Sequence, residues 1–127
     1  MAKHAFTVLT SFILLLSFPL CVFAKNIDVT SDDNLQTSLN LANDGDVVFI
    51  AAGEYIGNFI VNNAITVTGE TGTVINANGE GHAIELRNSN ITIQNLTIIN
   101  WGSDLTEQDS GIYTDKKSTN ITVQGNK

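Results

Sequence analysis

The sequence predicts an all-β fold, a right-handed parallel β-helix (a β-solenoid) of about three coils behind a short N-terminal capping helix. Three observations carry this. From Asp46 onward, short runs rich in Val, Ile and Thr alternate with Gly and Asn, and no helical period survives. The runs recur: Ile65-Thr66-Val67-Thr68, Ile91-Thr92-Ile93-Gln94 and Ile121-Thr122-Val123-Gln124 share one in-out pattern and lie 26 and then 30 residues apart. Ile84 and Ile112 form a second register, 28 residues apart. A period in the twenties with several strands and no helix is the mark of a solenoid, in which each coil buries its inward side chains against its neighbours.

Met1 to Ala24 reads as a secretory leader. Lys3 and His4 make a short basic start, Ala5 to Phe18 is almost wholly apolar, and Pro19 breaks the run. Val22-Phe23-Ala24 then supplies small or tolerated residues before a cut after Ala24. The apolar run is shorter than the ~20 residues a spanning helix needs, and nothing downstream resembles a second span. Cys21 follows Leu20, whereas lipid attachment wants a small residue there.

Lys25 to Thr30 reads as an opening strand. Ser31-Asp32-Asp33 supplies acceptors suited to capping a helix, and Leu35, Leu39 and Ala42 give that helix one apolar stripe. Asn43-Asp44-Gly45 reads as its stop, with glycine as the left-handed residue. A helix of about a dozen residues is marginal alone, so it should lie on the strands that follow. The expected division is a leader over 1–24, a cap over 25–45 and the first coils over 46–127.

The strand runs are Val47-Val48-Phe49-Ile50, Phe59-Ile60-Val61, Ala64-Ile65-Thr66-Val67, Thr73-Val74-Ile75, Ala83-Ile84-Glu85-Leu86, Ile91-Thr92-Ile93, Leu96-Thr97-Ile98-Ile99, Gly111-Ile112-Tyr113 and Ile121-Thr122-Val123. Parallel stacking puts like on like in such coils. An antiparallel sandwich would join its strands by Asn-Gly or Asp-Gly turns. Only Asp44-Gly45 and Asn78-Gly79 occur, and the first follows the helix. Asparagines flank the runs, where they tolerate left-handed corners and can bond to a counterpart one coil along. Asn90, Asn95 and Asn120 also begin Asn-x-Thr sequons. They read as corner asparagine followed by strand threonine rather than as glycosylation sites. The chain stops at Gly125-Asn126-Lys127, inside what should be a corner, so a C-terminally truncated solenoid or a partner over its open end is expected.

Beyond Ala24 the chain has no cysteine or methionine, which excludes disulfides and thiolate metal sites there. His82 is its only imidazole, and one imidazole without sulfur is a poor copper site. Five basic residues face thirteen acidic ones, a net charge of −8. Such a surface does not track a phosphate backbone or an anionic leaflet, and neither nucleic acid nor a transmembrane helix is expected of the mature chain. No phosphate-cradling glycine loop, nucleophile elbow or zinc motif is present.

The third coil is longer, and Trp101-Gly102-Ser103-Asp104-Leu105-Thr106-Glu107-Gln108-Asp109-Ser110 should leave the solenoid as a loop. Asp104, Glu107 and Asp109 could build a cation site or a paired-carboxylate active site. Their spacing favours a solvated acidic loop, with Trp101 or Leu105 covering apolar surface. His82, at a strand entrance, reads as a structural or surface residue, and Tyr55 as a packing residue at the cap.

The string from Asn43 through Tyr55, with Ile65-Thr66-Val67-Thr68-Gly69-Glu70, resembles the N-terminal coil of many right-handed β-helix proteins, pectin methylesterases among them. Ile98-Ile99-Asn100-Trp101-Gly102-Ser103-Asp104-Leu105 with Asp109-Ser110-Gly111-Ile112-Tyr113 resembles the first long-loop coil of the NosD-type periplasmic proteins. That resemblance runs from about Ser31 to the end of the chain and covers the first part of the family's longer solenoid. It marks Trp101, Asp104, Leu105, Asp109, Gly111 and Ile112 as a signature. It implies a non-enzymatic periplasmic factor for copper-site maturation of nitrous oxide reductase, with the reductase and an inner-membrane ABC transporter as partners and copper as the metal handled. The alternative is a carbohydrate-active solenoid (lyase, hydrolase or esterase) or a sugar-binding one. Its expected middle-coil carboxylates have no counterpart among outward positions that are mostly Thr, Gln and Asn.

Overall fold

The computed structural model describes residues 23–127 and Pro19. The leader expected over 1–24 lies, but for Pro19, Phe23 and Ala24, outside the described residues. Strand β1 (Asn26–Val29) and helix α1 (Leu35–Leu41) come first, followed by β2 (Val47–Ile50), β3 (Gly53–Ile56) and β4 (Phe59–Val61). The second coil is β5 (Thr66–Gly69), β6 (Thr73–Asn76) and β7 (Ile84–Leu86). The third is β8 (Thr92–Gln94), β9 (Thr97–Ile99) and β10 (Ile112–Thr114), and β11 (Thr122–Gln124) begins a further turn.

Every pairing is parallel and joins equivalent strands of successive coils. The first sheet runs β1-β2-β5-β8-β11, the second β3-β6-β9 and the third β4-β7-β10. The chain is a parallel β-solenoid of about three turns, as its periodicity predicts. Register follows composition. Thr66 lies beside Thr92 and Thr92 beside Thr122, while Ile84 pairs with Ile112. A one-residue slip would turn each inward Ile or Val out to water, so the apolar alternation locks the stack.

The core is a set of columns along the axis. Val48, Val67 and Ile93 line up from the first sheet, and Tyr55, Ile75 and Ile98 from the second. All six are buried. The third sheet adds Phe59 and Ile84, with Val61 and Leu86 beside them. Outward positions carry amides and hydroxyls that bond from coil to coil: Gln124 Nε2 donates to Gln94 Oε1 at 2.7 Å and Asn120 Nδ2 to Asn90 Oδ1 at 2.7 Å. Asn90, Asn95 and Asn120 stand at φ of 59°, 60° and 55°, the left-handed corners their sequence context suggests.

Coil length is unequal, and most of the difference sits at one place. The gap between second-sheet and third-sheet strands is 57–58 in the first coil, 77–83 in the second and 100–111 in the third. The corner between the first and second sheets stays at two or three residues throughout.

The cap departs from expectation in two details. Asn34, not Ser31-Asp32-Asp33, caps α1, its Oδ1 accepting from the Thr37 N–H at 2.9 Å. Asp33 turns back, accepting from the Thr30 N–H at 2.8 Å and the Thr30 hydroxyl at 2.9 Å, a local turn that competes with capping. The helix is seven residues long and ends with extended Ala42 at ψ 132°. Gly45, at φ 90°, therefore shapes the turn into β2 and not the helix stop. Leu35, Leu39 and Ala42 are buried as their spacing predicts. Strand β3 is absent from the sequence-based runs, because Gly53 and Gly57 punctuate it at both ends. Tyr55 is the packing residue expected, but from within that strand, with its hydroxyl donating to Ala51 O at 2.9 Å.

Helix α1 closes the edge of the third sheet through one side chain. Gln36 Nε2 donates to Ile60 O at 2.8 Å and its Oε1 accepts from Ile60 N–H at 2.8 Å, standing in for a neighbouring strand. Gln36→Ala should cost about 1–2 kcal/mol in urea denaturation, since both backbone groups lose a partner in a half-buried place. A loss within experimental error would mean that water replaces the amide at no cost.

Asp46 ties the cap to the first coil. Its Oδ1 accepts from Lys25 N–H and its Oδ2 from Asn43 N–H, each at 2.9 Å, and the residue is only 4% exposed. The Lys25 N–H first, then that of Asn43, holds its carboxyl below the usual carboxylate range. A carboxyl depressed by folding contributes stability that is present above its unfolded value of about 4 and lost as pH falls below it. Asp46→Asn should therefore weaken the fold at neutral pH and flatten its acid limb, read as thermal midpoints between pH 7 and 2.5. Asp33, Asp104, Asp115 and Glu85 shift in the same direction, so some acid sensitivity should persist. No helix among the described residues is long and apolar enough to cross a membrane.

Candidate docking loop

The loop 101–111 leaves the corner after β9 and returns into β10. Its base is closed by glycines. Gly102 donates its N–H to Gly81 O of the preceding coil at 2.9 Å. A Cβ there would lie 2.6 Å from Gly81 N and run into the Asp109 carboxylate, so only glycine permits the approach. Gly111 lies under Trp101: a Cβ on it would sit 3.4 Å from the indole and 3.4 Å from Ile98 Cγ2. The indole thus covers the loop's return point, and the side chain is still 47% exposed.

Two carboxylates shape what lies between. Asp109 Oδ2 accepts from Asp104 N–H at 2.9 Å, and Asp109 N–H returns to Asp104 O at 3.0 Å. Asp104 Oδ1 accepts from Thr106 N–H at 2.8 Å and Glu107 N–H at 3.2 Å, and these bonds hold its carboxyl below the ordinary range. The Asp104 bonds form an Asx-type turn and the Asp109 bonds close the loop across it, so that short acidic side chains satisfy backbone donors that no strand reaches. The turn they build lifts Leu105 to 92% exposure.

Asp104 and Asp109 therefore work inside the loop. No three His, Cys, Asp or Glu side chains among the described residues converge as a metal site. The cation site that Asp104, Glu107 and Asp109 could have formed is not assembled.

His82 sits beside the loop's return. Its ring stacks on Tyr113 at a centroid distance of 4.1 Å and 8° between planes. Its Nδ1 is 3.3 Å from Ser110 Oγ, and Ser110 Oγ also donates to Ile112 O at 3.2 Å. Asn58 Nδ2 clamps the strand entrance from the first coil, 2.6 Å from His82 O and 2.6 Å from Glu80 O. One ring face and one nitrogen of His82 are thus engaged in packing the loop's landing. Sequence reasoning missed Tyr113, Ser110 and Asn58 here. The 28-residue spacing of Ile84 and Ile112 implied that His82 and Ser110 lie on adjacent coils. Beyond this patch, Glu85 and Arg87 form an ion pair at 2.9 Å, and the guanidinium keeps the Glu85 carboxyl low.

The arrangement offers a hydrogen-bonded projection with an apolar tip on the ridge of a solenoid. The chain is 34% identical over 89 residues to a Pseudomonas aeruginosa protein described as a probable ABC transporter binding protein NosD; the match covers 69% of this chain and 21% of that protein. A second P. aeruginosa protein of the same description is 31% identical over 64 residues, 50% of this chain and 59% of the relative. One from Stutzerimonas stutzeri, also so described, is 33% identical over 78 residues, 61% of this chain and 18% of the relative. The chain thus spans between 18 and 59% of the length of the relatives it matches. No family model matches the chain. No solved structure matches it either. Stacked parallel coils and moderate identity over much of its length make this chain a relative of the NosD-type proteins.

Proposed function

We propose that this chain is the first part of an exported, non-enzymatic docking protein that engages an inner-membrane ABC transporter. Its place would be the periplasm, after removal of the leader over 1–24, and its task the maturation of the copper sites of nitrous oxide reductase. The observation that carries the reading is the loop 101–111. It is braced by Asp104 and Asp109, based on Trp101 and Gly111, and it presents a Leu105 side chain that packs on almost nothing of its own. An apolar side chain held rigidly in water gains by entering a partner's pocket and loses little entropy in doing so. Relatives described as ABC transporter binding proteins give that partner its class.

Copper belongs in this picture as cargo of the partners. The described residues lack cysteine and methionine. His82, the only imidazole among them, is stacked on Tyr113 and faces Ser110. That donor set does not fit a copper site.

The test is co-purification of the tagged mature protein under mild extraction. Recovery of the transporter or the reductase is expected, and Leu105→Asp should lower it about tenfold, as loss of one anchor side chain does. Its far-ultraviolet circular dichroism should stay unchanged. Recovery of neither partner, or equal recovery with Leu105→Asp, would overturn the reading.

A further inference from the structure

Asp46 holds the backbone nitrogen of the residue at which the sequence expects the mature chain to begin. Lys25 N lies 2.9 Å from Asp46 Oδ1, while the other carboxylate oxygen takes the Asn43 N–H at 2.9 Å. Lys25 O accepts from Val47 N–H at 2.9 Å, so the residue is pinned on both its polar sides. Phe23, Ala24 and Lys25 are exposed, and a peptidase can reach the bond between the last two.

We propose that Ala24–Lys25 is the processing junction, and that the α-ammonium it releases becomes the ionic partner of Asp46. This rests on the leader reading given above. Hydrolysis adds water across the peptide bond: the carbonyl carbon of Ala24 takes the oxygen and leaves as the leader's carboxyl, and Lys25 N is protonated in place. An amide N–H that donated one bond to the carboxylate becomes a charged ammonium at the same position, facing a side chain that is 4% exposed. A bond with one ionised partner thereby becomes an ion pair, with Coulomb attraction added to the hydrogen bond. Removal of the leader therefore tightens the node that joins β1, the end of α1 and β2. A cut one residue away would move the ammonium about 3.5 Å along an extended chain, out of reach of Oδ1.

The α-amino group, ordinarily near 8, is raised by its partner, so its contribution is complete below about pH 8 and is lost as pH rises through the raised value. The other charged groups at the node are the side-chain ammonium of Lys25 and the carboxylate of Asp44, whose Oδ1 is turned to Ala64 N–H at 2.9 Å. Both are unchanged by the cut.

The experiment has two arms. Native protein recovered from the cell envelope is sequenced from its N-terminus, and Lys25 is the expected first residue; any other start, or a retained leader, overturns the junction. In parallel, chains beginning at Lys25 and at Ala24 are melted from pH 6 to 10. The Lys25 chain should melt about 5 °C higher at pH 7, lose that margin by pH 10, and lose it at every pH when its α-amine is acetylated. Equal midpoints, or a margin that survives acetylation, overturn the ion pair. Both readouts are independent of partner capture, so a failed docking experiment would leave this result standing, and the reverse.

Discussion

Replacing Ile93 by alanine should cost about 3–4 kcal/mol and lower the urea midpoint by a large fraction of its value. Ile93 is fully buried, with Val67 on the coil before and Val123 on the one after. Truncating a buried isoleucine to alanine removes its transfer energy and leaves a cavity that the neighbours fill only in part, together about 2–5 kcal/mol. A domain of some hundred residues has only about 5–15 kcal/mol in total. In a solenoid the loss falls on both interfaces of the affected coil, so unfolding should begin there. Val123→Ala is the control: the same column, but a side chain 50% exposed, expected to change stability by no more than about 0.5 kcal/mol. Similar midpoints for the two variants would mean that the columns do not carry the stability.

The second large effect is expected from Gly102→Ala. The added methyl meets Gly81 N at 2.6 Å, a backbone atom of the neighbouring coil that cannot move alone, and it invades the place of the Asp109 carboxylate. Asp109 must then leave Asp104 N–H, and the bond from Gly102 N–H to Gly81 O must lengthen. Overpacking of this kind costs about 1–3 kcal/mol. The larger consequence is for the loop, which should lose its fixed attitude and with it partner capture, to the degree expected of Leu105→Asp. Gly111→Ala should be milder, because Trp101 and Ile98 stand at 3.4 Å and both are side chains that can shift. Amide exchange at Thr106 and Glu107 separates the cases: faster in Gly102→Ala, near wild type in Gly111→Ala. If Gly102→Ala exchanges and captures like the parent, the loop is not held by its base.

The fold was legible because a solenoid writes its register into the sequence. Thr66, Thr92 and Thr122 could be aligned by eye, and they are neighbours in the first sheet. What escaped notice was local. Strand β3 holds one inward side chain, Tyr55, between two glycines, and so shows no alternation long enough to count. The helix start was misplaced by one residue because Asp33 and Asn34 are equally good caps, and only the Thr30 turn decides between them. At the candidate loop the length and acidity were readable, and the inward use of the carboxylates was not. Whether Asp104 faces a cation or its own Thr106 and Glu107 N–H groups depends on backbone direction, which composition does not encode. Gly102 was visible only as one residue of the loop string, and Gly111 only as a signature letter. Their reasons, Gly81 N and the Trp101 ring, lie across a coil and across the loop.

The unequal coils have a consequence for how such a molecule can change. Most of the added length enters at one corner, in 57–58, 77–83 and 100–111, while the corner leading back to the first sheet grows less, over 62–65, 87–91 and 115–121. A residue gained inside a strand would turn the rest of that strand's inward positions out to water. A residue gained in 101–111 moves nothing in the columns. The molecule thus separates the part of its sequence that must count from the part that is free to vary. Mutation can lengthen, sharpen or recharge that single ridge, and so redirect what the protein meets, without renegotiating the stack that holds it up.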